Sequence, residues 1–158
     1  MFRKADQQLC RTVTRSGNIW GMSDHLTLRV KSPTMSRLRE RARRAGLPVR
    51  TLTQRYIEEG LRHDLHPLIH FVDGPTGRRA AVLGTGLDVW EVIATVQDNA
   101  ADLEESATYL DVPHGLVQAA VAYYGAYQDE IDYEISLNQA EWDDGLTAVR
   151  QGQQALEA

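Results

Sequence analysis

A single alternating segment with no second strand near it constrains this chain more than any other feature of its sequence. His25-Leu26-Thr27-Leu28-Arg29-Val30-Lys31 alternates apolar with polar, residue by residue. Side chains repeat every two residues along a strand, so Leu26, Leu28 and Val30 share one face, and His25, Thr27, Arg29 and Lys31 the other. Two helical patterns follow at once, and no further strand pattern occurs between residues 22 and 66. A lone strand leaves a row of unpaired N–H and C=O groups, and about 40 residues is the lower limit for a fold that stands alone. A second copy of the chain resolves both problems by pairing the two strands antiparallel. The ribbon so formed carries a polar, cationic outer face, and the major groove of B-DNA is wide enough to admit it.

The helical patterns agree with that reading. Ser32 is a capping residue and Pro33 suits a first helical position, where its missing N–H costs nothing. Met35, Leu38, Ala42 and Ala45 form one apolar stripe, while Arg37, Arg39, Arg41, Arg43 and Arg44 cover the other faces. Glu40 is placed to pair with Arg44 one turn on. Gly46 ends the helix, as a residue free to take positive φ does. After a tight connection from Leu47 to Arg50, Thr51 is the expected cap of a second helix carrying Leu52, Tyr56, Ile57 and Leu61. That helix is expected to fray from His63 to His66, ahead of Pro67.

Strand, helix, glycine turn and helix resemble the ribbon-helix-helix family, the fold of the Arc and MetJ repressors and of many antitoxins. The residues that carry the resemblance are Leu26-Thr27-Leu28-Arg29-Val30 at the start and Glu58-Glu59-Gly60-Leu61-Arg62 near the end. It covers residues 24 to 65, about a quarter of the chain. The resemblance implies that Thr27, Arg29 and either Lys31 or His25 read base edges, and that backbone N–H groups at the start of the second helix hold a phosphate. Many members carry serines at that helix start, whereas this chain has Pro48 and Arg50, with Thr51 one place later. The helix dipole and Arg50 would then stand in for the hydroxyl clamp.

Charge is divided along the chain in the same sense. Residues 22 to 66 hold ten Lys or Arg against five Asp or Glu, and residues 67 to 158 hold three against sixteen. The whole-chain charge of −5 therefore hides a basic module joined to an acidic one. Arginine-rich helices can simply solvate a surface. Their coincidence with a ribbon-like strand points instead to nucleic acid at one end and a different partner at the other. Residues 1 to 21 are expected to be a flexible basic arm, or an extension upstream of a natural start at Met22. Cys10, the one cysteine, excludes an internal disulfide and a cysteine zinc site. No apolar run reaches the length of a membrane span or a signal core, so a cytoplasmic protein is expected.

The second half reads as strand 68–72, turn 73–77 and returning strand 79–83, then a Gly84-Thr85-Gly86 turn. Asp88 is the expected cap of a helix with Val89, Trp90, Ile93 and Val96 on one face. Helices 103–110 and 115–127 follow, split by Asp111-Val112-Pro113 in helix-turn-helix proportions. A recognition helix needs cationic or amide side chains, and His114, Gln118 and Gln128 are all this one offers, so a small helical core is expected instead. Residues 77 to 133, with their Gly-Arg-Arg strand, Asp-Val-Trp helix and degenerate helix-turn-helix, are similar to a small domain found in bacterial antitoxins. That resemblance, to VapB-type antitoxins, implies a PIN-type ribonuclease toxin as partner. His63, His66 and His70 straddle a helix end, where histidines complement exposed carbonyls, and no metal site is expected from them. The carboxylates at 129, 130, 132 and 134 lack a nucleophile or base beside them, so no enzyme and no cofactor are expected. Tyr123, Tyr124, Tyr127 and Tyr133 are expected to pack with wet hydroxyls. From Ser136 onward the sequence is acidic and Gln-rich, and is expected to stay unordered in a lone chain.

The expected fold is mainly α with short strands, an α+β chain in four parts. These are the arm 1–21, a ribbon-helix-helix dimer over 22–66, a small hairpin and helical domain over 67–135, and an acidic tail over 136–158. The expected function is a dimeric antitoxin and autorepressor bound to promoter DNA. Its tail would hold the toxin with Trp142 as an apolar anchor and Arg150 reaching the toxin's metal-binding carboxylates. The alternative is a stand-alone regulator or segregation-type DNA-binding protein, whose second half only oligomerises.

Overall fold

The computed structural model describes residues 26–74 and 77–157; His25 and the arm 1–21 lie outside the described residues. By compactness the chain divides inside its first helix, with residues up to Arg37 in one unit and Leu38 onward in another. The described part of the first unit is the segment from Leu26 and the opening turns of α1 (Ser32–Arg44). Met35 N–H donates to Lys31 C=O at 3.0 Å, so α1 begins one residue earlier than expected and Ser32 lies inside it rather than capping it. Pro33 is still within the first turn, where no N–H bond is lost. Gly46 ends α1 as expected, at φ +65°. The Leu47 N–H reaches back to Ala42 C=O at 2.9 Å and the Gly46 N–H to Arg43 C=O at 3.2 Å, the paired bonds of a left-handed helix end.

The second unit runs α2 (Val49–Leu65), β1 (Ile69–Gly74), β2 (Gly77–Val82), α3 (Val89–Asp98), α4 (Leu103–Leu110), α5 (His114–Ala126) and α6 (Gln128–Glu157). The strands pair antiparallel from Ile69 opposite Val82 to Gly74 opposite Gly77. Gly84 and Gly86, at φ +80° and +77°, carry the chain from β2 toward α3, as only residues without a Cβ do readily. Thr85 fixes that turn, its hydroxyl donating to Val82 C=O and accepting the Leu87 N–H. Asp88 does precede α3, and the Glu91 carboxylate accepts the Asp88 backbone N–H at 2.7 Å, the reciprocal half of a capping box. Asp102 accepts the N–H groups of Glu104 and Glu105, both at 3.0 Å, and so starts α4. Asp111 in the left-handed region ends it.

The core is one cluster. Ile69, Ala80 and Val82 of the hairpin, Val89, Val92, Ile93 and Val96 of α3, Ala107, Val117, Ala120, Tyr123 and Ile131 are all buried in it. Every element of the second half supplies at least one member, so α4 and α5 are spent on packing, as their lack of cationic side chains predicts. Residues 136–157 depart from expectation: they are helical, as the continuation of α6. The helix is nucleated on the core at Ile131 and propagates outward, and adding a residue to an existing helix is far easier than starting one.

Candidate functional site

Leu26 to Lys31 makes no sheet hydrogen bond to another described residue; the hairpin is the only sheet among the described residues. Residues 26–31 are not part of a strand, contrary to expectation, and both alternating sets of side chains are open to solvent. Thr27, Arg29 and Lys31 are exposed, and so are Leu26 at 67% and Leu28 at 50%, with Val30 half-buried. Two exposed leucines this close together are apolar surface available to a partner.

The second expected contact lies at the start of α2. Thr51 is not its cap. Pro48 takes that position at φ −59° and ψ 142°, with no side chain accepting a first-turn N–H, and Thr51 sits exposed in the first turn. The first turn carries no acidic residue. Free N–H groups, the positive end of the helix dipole and the exposed guanidinium of Arg50 thus meet with nothing negative among them. On α1, Glu40 accepts hydrogen bonds from Arg43 and Arg44, which hold its carboxyl below the usual range. Arg39 forms no ion pair among the described residues and remains available to an anion. Further along α2 only Leu52 is buried, while Tyr56, Ile57, Leu61 and Leu65 stay exposed. Ile57, Leu61 and Leu65 repeat every four residues and therefore line one apolar row.

The inner side of α2 is tied down by groups that sequence reasoning missed. Arg62 Nη1 donates to the Tyr123 hydroxyl at 2.8 Å and to both Glu130 oxygens at 2.8 and 2.9 Å. Its guanidinium lies 4.2 Å from the centre of the Tyr127 ring. Arg78 holds Glu59 through two bonds of 2.8 and 2.9 Å. Tyr123 is therefore not a packing residue with a wet hydroxyl: it is fully buried, and burial is the main force pushing its phenol pKa upward. Tyr124 keeps the expected character, donating to Asp132 at the surface. Nothing in the sequence joins residues 62, 123 and 130; the fold alone does.

Beside this anchor lies a groove lined by Arg78, Arg79, Trp90, Tyr133, Glu134 and Leu137. Asp88 Oδ2 sits 2.7 Å from Arg79 Nε and accepts the Trp90 indole N–H at 3.2 Å. Glu134 has one buried carboxylate oxygen without a hydrogen-bond partner. Burial first, then the charges of Glu130 and Asp88, raise its pKa to about 7, against the opposing pull of Arg79. A carboxyl whose folded pKa lies above its unfolded value binds protons more tightly when folded. Its contribution is then fully present below about 4.5 and is lost as pH rises toward 7. Glu134→Gln should accordingly raise the melting temperature at pH 8 and leave it nearly unchanged at pH 5, measured by thermal scans at both pH values. An equal effect at the two pH values would show that Glu134 is charged throughout.

Trp142 and Arg150 stand apart from all of these groups. Both are exposed on the outer length of α6, Trp142 at 64%. No cluster of three or more His, Cys, Asp or Glu suited to a metal occurs among the described residues, and none of their helices is long and apolar enough to cross a membrane. Comparison with protein families, with curated proteins and with solved structures returns no match for this chain.

Proposed function

We propose that this chain is a DNA-binding regulator of the ribbon-helix-helix type, acting as a homodimer on its own promoter. The observation that carries the reading is the exposure of Leu26 and Leu28 beside the exposed Thr27, Arg29 and Lys31, two sets that their alternation would place on opposite faces of a strand. Pairing two such segments would bury the leucines and turn the polar side chains outward as a ribbon. The uncapped, acid-free start of α2 supplies phosphate contacts of the kind that fix orientation on a duplex.

The antitoxin form of this reading adds a PIN-type ribonuclease held by the acidic second half, with Trp142 and Arg150 as contacts. It rests on the acidity of residues 67 to 158 and on resemblance. One observation favours the stand-alone regulator instead: the tail is already helical, so no toxin is needed to order it.

Gel shifts on the chain's own promoter test the DNA reading. Arg29→Ala should cost about 1–3 kcal/mol and blur sequence choice, as loss of a guanine contact does. Arg50→Ala should weaken all sequences alike and reduce the salt slope by about one. Equal losses from both variants on every sequence would remove the strand as the base reader.

A further inference from the structure

The outer part of α6 carries a periodic face that nothing among the described residues covers. Ile135, Trp142, Val149 and Leu156 recur every seven residues, with Leu146 in the alternate position between Trp142 and Val149. A seven-residue repeat marks a seam between two helices rather than a face laid on a globular core. The seam continues the side that packs inward: Ile131 is buried, Ile135 half-buried, and beyond the core Trp142, Val149 and Leu156 stand 64%, 57% and 89% exposed. Gly145 and Gly152 flank the seam, also seven apart. A Cβ at either would meet nothing within 4 Å. Each glycine costs a helix about 1 kcal/mol relative to alanine, and packing among the described residues gives no reason for either.

We propose that residues 136–157 pair antiparallel with the same segment of a second copy of this chain. Charge decides the occupant and the direction. Arg150 is the only cation in α6, and Asp143 lies seven residues before it on the same edge of the seam. A parallel pair would set Arg150 beside Gly145 of the other copy and form no ion pair. An antiparallel pair with Leu146 against Val149 sets Asp143 beside Arg150 twice, once at each end. On the opposite edge the same register brings Gly145 against Gly152, leaving room beside the seam where the two Trp142 rings cross it. Both edges and the centre are thus satisfied by one register, along about 27 Å of helix. The pairing stands independently of DNA binding and of the ribbon.

The test uses the full-length chain in a Leu28→Asp background, which takes ribbon pairing out of the measurement. Sedimentation equilibrium is run on Arg150→Asp, on Asp143→Arg and on the double exchange. Each single change replaces two attractions by two repulsions and should weaken self-association about tenfold. The double exchange restores opposite charges and should return the wild-type constant to within about threefold. Singles that leave association unchanged, or a double exchange that does not restore it, overturn the proposal. So would a chain that stays monomeric alone and buries Trp142 only against a co-expressed basic protein, read from indole fluorescence.

Discussion

Tyr123→Ala should destabilise the second unit by about 3–5 kcal/mol, the range for deleting a large buried aromatic side chain. Tyr123 is wholly buried, and its ring meets the edge of His66 at 5.2 Å and the tilted face of Tyr127 at 4.6 Å. The alanine variant therefore loses transfer energy and opens a cavity among α5 and its neighbours. It also strips one acceptor from Arg62, which keeps Glu130. Tyr123→Phe separates the two effects, because it keeps the ring and removes only the hydroxyl. Its expected cost is about 1–2 kcal/mol, that of a buried bond to a charged group whose other partners remain. Urea unfolding gives both numbers, with the slope against denaturant unchanged. A phenylalanine variant as damaged as the alanine variant would place the stabilisation in the hydroxyl network rather than in the core.

Several short-range signals in this sequence translate directly into structure, and the long-range ones do not. Gly46, the 84–86 turn and Asp88 act within a few residues, and each occurs where its chemistry predicts. The hairpin and the helices α3 to α5 follow from periodicity with turn and cap residues, although the strands run to Gly74 and from Gly77 where a turn over 73–77 is expected. Thr51 misleads because Pro48 also caps: its locked φ with extended ψ starts α2 without any side-chain acceptor. Polar composition suggests an unordered tail, whereas α6 starts on the core at Ile131 and has only to be extended. Arg62, Tyr123 and Glu130 escape notice for a third reason. Their meeting depends on how α2, α5 and α6 pack, and an arginine among many arginines carries no local mark of a buried partner. The candidate DNA face is proposed on the opposite ground, since alternation and charge are local properties. In the proposed ribbon its other half is a second chain.

Leu28→Asp is the substitution with the greatest expected consequence for function. In a single chain Leu28 is half exposed, so a carboxylate there meets water and the second unit should unfold at the same urea concentration as the wild type. In the proposed ribbon the same position lies at the dimer centre, where each copy buries its leucine for about 2 kcal/mol. An unpaired carboxylate in that place costs several kcal/mol per copy instead. The total exceeds what a two-stranded ribbon with short helices can lose, so pairing through the strand should disappear. Promoter binding should go with it, because one strand alone cannot present base-reading side chains in a groove. Association through α6 should persist, leaving a species of twice the 17.7 kDa chain mass, and adding Arg150→Asp should reduce it toward one chain. Sedimentation and gel shift on the same samples distinguish these states. Promoter binding that survives Leu28→Asp at wild-type strength would mean that the leucine face is not a dimer core. Thr27, Arg29 and Lys31 would then lose their claim to the groove, since only a paired strand holds them in one row.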